Sequence, residues 1–150
     1  MSDSLRFELT VEVAAVEAFD TWTLRISRWW PRQHTRSRER GTAVVIEPKV
    51  GGRIFERTTS GEELYWGSVI AWEPPTRFGY RWHITSQPDE ATEVEIRFTE
   101  VAAGVTCVTI EHSGFDRLGD KGPARREANL HHWERLIPAY VIACAGCGTA

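Results

Sequence analysis

Residues 105–144 read VTCVTIEHSGFDRLGDKGPARREANLHHWERLIPAYVIAC, and the periodicity of this stretch changes once along its length. Val108, Ile110 and His112 share one parity, the repeat of a strand with one buried face. Gly114 to Gly122 is a connecting loop, and Pro123 stands where a helix starts, because a first-turn residue has no use for its N–H. Leu130, Trp133, Ile137, Tyr140 and Cys144 then step by three and four, forming one apolar stripe along a long helix. Pro138 is expected to kink that helix, and the Gly-rich tail beyond Cys144 to fray. A strand run ending in one long amphipathic helix is an α+β arrangement in which the stripe must be buried against the sheet.

Working back from Val105, Val94, Ile96 and Phe98 alternate with Glu93, Glu95 and Arg97, and Phe78, Tyr80, Trp82 and Ile84 with Arg77, Arg81 and His83. Glu63 to Trp72 is a further strand, ended by Glu73-Pro74-Pro75 because proline lacks a donor and forces extended geometry before it. Arg53 to Thr59 and Thr42 to Glu47 read as strands bounded by Ser60-Gly61 and by the Pro48 to Gly52 turn. At the front, Leu5, Phe7, Leu9, Val11 and Val13 alternate with polar residues over nine positions, the clearest strand in the chain. Val16, Phe19, Thr23 and Ile26 then fall at helical spacing and run into Trp29-Trp30 before Pro31, giving one bent helix or two short ones. Arg32 to Gly41, with four Arg and one His, is a polar loop. The expected fold is thus a curved antiparallel meander of about seven strands, short helices after the first strand and one long terminal helix, in a single domain over residues 1–150.

Composition excludes several functions. Eighteen Lys and Arg against 21 Asp and Glu give a net charge of −3 over 150 residues, without a basic block, so nucleic acid is not an expected partner. Asp3, Arg6 and Glu8 interrupt any apolar leader, and the uncharged run Leu136 to Ala150 is too short for a bilayer, so no membrane association and a cytoplasmic location are expected. Three cysteines, Cys107, Cys144 and Cys147, make no closed disulfide framework. Cys144 and Cys147 have C-x-x-C spacing, but the nearest histidine is twelve residues back, about 18 Å along a helix, so no metal is expected. Adjacent His131 and His132 point about 100° apart and cannot share a metal. No Ser sits in a nucleophile elbow, Gly51-Gly52 is a tight turn and not a phosphate loop, and no cofactor motif is present.

A family resemblance rests on Ala18-Phe19 with Trp22-Thr23, Trp29-Trp30-Pro31, Glu47-Pro48-Lys49-Val50-Gly51-Gly52-Arg53, Trp66-Gly67-Ser68-Val69 leading to Trp72-Glu73-Pro74-Pro75, Trp82, and Glu111-His112-Ser113-Gly114-Phe115. With these segments in order over about Leu5 to Ala143, the chain resembles the helix-grip domains homologous to the activator of the Hsp90 ATPase, within the START-like, Bet v 1-like superfamily. The resemblance implies a curved sheet wrapped on the C-terminal helix. It implies either a stand-alone protein that holds a small hydrophobic molecule or a module acting on a chaperone ATPase. Where the family often has Gly-Trp in the last helix, this chain has His132-Trp133.

Seven tryptophans supply much of a large aromatic set, of which Trp30, Phe55, Trp66, Tyr80, Trp82, Phe98, Phe115 and Trp133 are candidate walls of a pocket between sheet and helix. So many rigid rings are expected to leave a void. Ile137 on the helix stripe joins them. His112 is expected to face inward, either to orient a ligand oxygen or held by a backbone partner. Arg53 and Arg57 share a face with Phe55, and snorkelling from the sheet edge is the plainer reading for both. The expected function is non-catalytic binding of a small hydrophobic or amphipathic molecule, with Trp30 and the loop after it as a lid. The alternatives are a protein-interaction module of the chaperone-activating type and a polyketide cyclase-like enzyme using His112 with Glu111 or Arg53. Glu111 and His112 point to opposite faces, which disfavours shared acid–base work. Monomer and homodimer are both compatible with the sequence.

Overall fold

The computed structural model describes residues 4–84 and 87–147. Its elements are β1 (Leu5–Val11), α1 (Ala15–Trp22), β2 (Ala43–Ile46), β3 (Arg53–Arg57), β4 (Glu63–Glu73), β5 (Arg77–Trp82), β6 (Thr92–Ala102), β7 (Val105–Ser113) and α2 (Gly122–Cys147). The strands form one antiparallel sheet in the order β1-β7-β6-β5-β4-β3-β2. The meander from β2 to β7 is therefore as the short turns require, and β1 closes on β7, with Phe7 opposite Ile110.

Two short helical pieces follow β1: α1 and a 3-10 turn at Ile26–Arg28. Alanine at position 14 offers no capping side chain to α1, and Glu100 of β6 substitutes for it, accepting a bond from the Ala15 amide at 2.7 Å. The Tyr140 hydroxyl donates to the Ala18 carbonyl at 2.7 Å and ties α2 to α1. Ala18, Phe19 and Trp22 of α1, Trp133, Leu136 and Tyr140 of α2, and the inward residues of β5 to β7 make one core.

Several local expectations change. Arg32 to Gly41 contains a 3-10 turn at Arg32–His34, and the connection after Gly114 is 3-10 over Phe115–Lys121, entered through a left-handed Gly114 with φ of 96°. Helix α2 continues through Pro138 and reaches Cys147, past the expected fraying point; the rest of the Gly-rich tail lies outside the described residues. The buried centre of its stripe runs Asn129, Trp133, Leu136, Tyr140 and Cys144, with Leu130 and Ile137 half-buried beside it. No described helix is long and apolar enough to cross a membrane.

Candidate functional site

A crevice opens where β5 faces α2 beneath the chain segment that follows the 3-10 turn at Ile26–Arg28. Trp30, Tyr80, Trp82 and Trp133 wall it with rings, Ile84 and Leu136 add aliphatic surface, and His34, Asn129 and His132 form its polar rim. Alternation along β5 turns Tyr80 and Trp82 inward, and Trp133 meets them from α2 because it lies at the centre of the buried stripe. Trp30 stands between, with ring centroids 5.2 Å from Trp66 and 5.7 Å from Trp82, and its Nε1 donates to the His34 carbonyl at 3.1 Å. That bond folds the segment over the crevice.

The expected void is corrected here. The rings interlock at tilted and edge-on angles, and the space left is about 10 Å³, room for about one water. A second hollow of about 60 Å³ shares Trp82, Ile84, Asn129 and His132 with the first and extends to His83, Thr92 and Arg125.

The predicted wall residues divide into three groups. Trp30, Tyr80, Trp82 and Trp133 line the crevice. Trp66, Phe98 and Phe115 are fully buried behind it: Trp66 edge-on to Trp82 at 5.6 Å, Phe98 against Phe19 at 5.3 Å, Phe115 against His112 at 4.7 Å, while Ile137 packs on the flank of the core. Phe55 belongs to neither group. Its ring lies on the opposite face of the sheet, covered by the Arg53 and Arg57 guanidiniums at 4.7 and 5.3 Å from its centroid. Those two arginines are further held by Glu47 and Glu63, so neither reaches toward a ligand between sheet and helix.

His112 faces inward as parity predicts, and is fully buried with side-chain partners for both ring nitrogens. Trp133 Nε1 can only donate, and it bonds His112 Nδ1 at 3.0 Å. The proton therefore sits on Nε2, which donates to Thr92 Oγ1 at 2.6 Å, and the threonine hydroxyl points on to the Trp82 carbonyl at 3.4 Å. Burial pushes the His112 pKa down to about 3, so the ring is neutral at physiological pH. His112 thus orients Trp133 and Thr92 and does not line the crevice.

Glu56 is a functional candidate that sequence reading missed. Its carboxylate is fully buried on the inner face and accepts from Trp66 Nε1 at 2.8 Å, from the Arg36 amide, and from the Ser37 amide at 3.0 Å. Burial alone would raise its pKa, but the bonds from Ser37, Trp66 and Arg36 outweigh it and hold the pKa below the ordinary value. The loop over the crevice is in this way anchored to β3. At the rim, the His34 and His132 rings meet edge-on with centroids 4.8 Å apart. Burial lowers both pKa values, and His132 first, then Arg135 and Arg38, lower that of His34 further.

A separate groove of about 490 Å³ lies between α1 and the end of α2, lined by Glu17, Thr21, Arg25, Arg28, Trp29, Ala143 and Gly146. Arg25 and Glu17 are ion-paired within its lining at 2.8 Å. Among the described residues no group of three or more His, Cys, Asp or Glu could hold a metal, and the side chain of Cys147 lies outside them.

Known proteins share this architecture. The solution structure of CalC, a self-sacrificing resistance protein from Micromonospora echinospora, is 26% identical with a TM-score of 0.74, over 97% of this chain and 96% of that one. Txn09, an anthrahydroquino-γ-pyrone synthase solved in complex, is 27% identical with a TM-score of 0.64, over 93% of this chain and 96% of its own. An HSP90 activator from Plasmodium falciparum shares the fold at 18% identity and a TM-score of 0.57, over 73% of this chain and 71% of that one. A search of curated protein sequences finds no significant match. The family model for activator of Hsp90 ATPase homolog 1-like proteins matches residues 12–137, the span that holds α1, the strands β2 to β7 and most of α2, and the chain belongs to that family.

Proposed function

We propose that this protein is a non-catalytic binding domain for a small hydrophobic or amphipathic molecule, held between β5 and α2 under the Trp30 segment. The observation that carries the reading is the crevice itself: four aromatic rings converge from sheet, helix and lid, and the polar side chains His34, Asn129 and His132 line it beside them. The closed form leaves about 10 Å³, so the ligand enters by lifting Trp30 and its segment, which buries ligand surface in place of ring-on-ring contact. The likeness to CalC and Txn09, both above 25% identity over nearly their whole length, supports a small-molecule role.

The test is a titration of the purified protein with 2-naphthylmethanol, read by tryptophan emission. Saturable quenching is expected, and Trp82→Ala and Trp30→Ala should each weaken binding about tenfold, since losing roughly 60 Å² of apolar contact costs about 1.5 kcal/mol. Unchanged affinity in both variants overturns the assignment. Native mass spectrometry of the protein as purified then gives the mass of any retained molecule.

The likeness to a synthase gives a second reading, catalysis on a polycyclic substrate, a specific footing. His112 is poorly suited to it, because both nitrogens are engaged and its pKa is depressed. Such chemistry falls to His34 or His132, and a detected activity that survives their replacement by Ala removes them from it. The family description also favours a protein partner. Stimulation of an Hsp90-type ATPase rate by saturating protein is the measurement that decides it.

A further inference from the structure

We infer that the second hollow is a subsite for a hydrogen-bond acceptor, so that the ligand is an aromatic carbonyl compound: a flat apolar body among the rings and a C=O group received by the Thr92 hydroxyl. This rests on the binding reading above and adds to it the chemistry of the ligand's polar end.

The direction of hydrogen bonding along one buried chain of side chains sets this requirement. An indole N–H can only donate, so Trp133 fixes His112 with Nδ1 bare and the proton on Nε2. Nε2 in turn donates to Thr92 Oγ1 at 2.6 Å. One lone pair of the threonine oxygen is thereby taken, and its own proton has to be donated elsewhere. Among the described residues its acceptor is the Trp82 carbonyl at 3.4 Å, well beyond the roughly 2.5–3.0 Å of an ordinary O–H···O bond. Thr92 is 2% exposed, so bulk water does not make up the difference. A buried donor with so long a bond gains from any better acceptor brought to it.

Space for that acceptor lies alongside. Thr92 lines the hollow of about 60 Å³, which has room for a few water molecules or one carbonyl group. Trp82, Ile84, Asn129 and His132 line both this hollow and the aromatic crevice, so a flat body lodged against Trp82 carries its substituent from one to the other. Arg125, also in the lining, is a donor only, while Asn129 and the His83 and His132 rings can serve either way. Among the described residues of the lining there is no carboxylate, so no side chain there is restricted to accepting. A carbonyl oxygen meets the threonine donor without bringing a charge into a partly buried site.

The experiment compares 2-acetylnaphthalene with 2-isopropenylnaphthalene, which share the ring system and the shape of the substituent but carry C=O and C=CH₂ respectively. On the wild-type protein the ketone is expected to bind about tenfold more tightly, although it is the less apolar of the two. Its carbonyl stretch in the complex, read by infrared difference spectroscopy, should fall below its frequency in hexane. In Thr92→Val, which replaces the hydroxyl by a methyl group, the ketone's advantage and the downshift should both be lost, and in Thr92→Ser both should be retained. Melting temperatures verify the fold of each variant, and where Thr92→Val does not fold, the wild-type affinity ratio and carbonyl stretch decide by themselves. Equal binding of ketone and alkene to wild type, an unshifted carbonyl, or a preference that survives in folded Thr92→Val overturns the acceptor subsite and leaves the aromatic site standing. No saturable binding of either probe overturns both.

Discussion

Glu56 is the residue around which the lid is organised. Three N–H donors, from Trp66, Arg36 and Ser37, converge on its two oxygens, and a neutral amide cannot accept all three without turning its own NH₂ toward one of them. Glu56→Gln is therefore expected to destabilise the fold at pH 7 by about 1–3 kcal/mol, measured by denaturant unfolding. The pH dependence has a definite sign. Because the folded pKa lies below the ordinary 4.5, folding favours the charged form; the contribution is full above that value and is lost as pH falls through the lower folded pKa. The stability gap between wild type and Glu56→Gln should accordingly shrink in acid. A gap that stays constant from pH 7 to pH 3 would show that the charge contributes nothing. In sequence, Glu56 was hidden by its own strand: Ile54 and Glu56 alternate with Arg53, Phe55 and Arg57, so each face offers one apolar residue beside charge. Period two assigns parity, but which parity faces inward depends on neighbours not adjacent in the chain. Phe55 turned outward because two guanidiniums can cover a ring, and Glu56 turned inward because the lid supplies its donors.

At the scale of elements, the alternating strands were legible because charge and apolar surface separate cleanly on β1, β5, β6 and β7. β4 departs from alternation. Its register against β3 steps from Gly67 opposite Ile54 to Tyr65 opposite Phe55, so Trp66 is the extra residue of a bulge that lets Trp66 and Gly67 both be buried. Gly67 sits opposite Trp82, and a Cβ there would lie 1.9 Å from the Arg81 carbonyl oxygen, a backbone atom. Gly67→Ala must push β4 from β5 and tilt the Trp82 wall. We expect a loss of about 1–3 kcal/mol on unfolding together with weaker binding of 2-naphthylmethanol. Gly104→Ala is the control: its φ of 72° carries strain, but nothing lies within 4 Å, so stability falls and probe binding does not change. Equal binding losses in both variants would separate Gly67 from the site. On α2 the apolar stripe was legible, but Asn129 and His132 at the rim were not, since neither residue is apolar and the stripe rule selects only apolar positions.

Across the whole molecule the architecture divides into a rigid frame and a lightly held cover. The frame is the β1–β7–β6–β5 sheet with α1 and α2: Tyr140 ties α2 to α1 at Ala18, and the Trp133–His112–Thr92 chain of bonds ties α2 to β7 and β6. The cover, residues 31–41, has Thr35 as its one buried residue, and its main attachments are the Trp30 indole to His34 and the two amides on Glu56. A segment with so little buried apolar surface opens at low free energy while the sheet stays closed. Hydrogen exchange should therefore find the amides of residues 31–41 exchanging well ahead of those in β6 and β7, with Arg36 and Ser37 slowest within the segment. Saturation with 2-naphthylmethanol is expected to slow the whole segment, because a ligand packed among the rings holds Trp30 and the chain after it in place, whereas Glu56→Gln should accelerate Arg36 and Ser37 in particular. If residues 31–41 instead exchange as slowly as β6, the cover does not open. A crevice of about 10 Å³ then admits no aromatic ligand, and the family's protein-partner role becomes the stronger account of this chain.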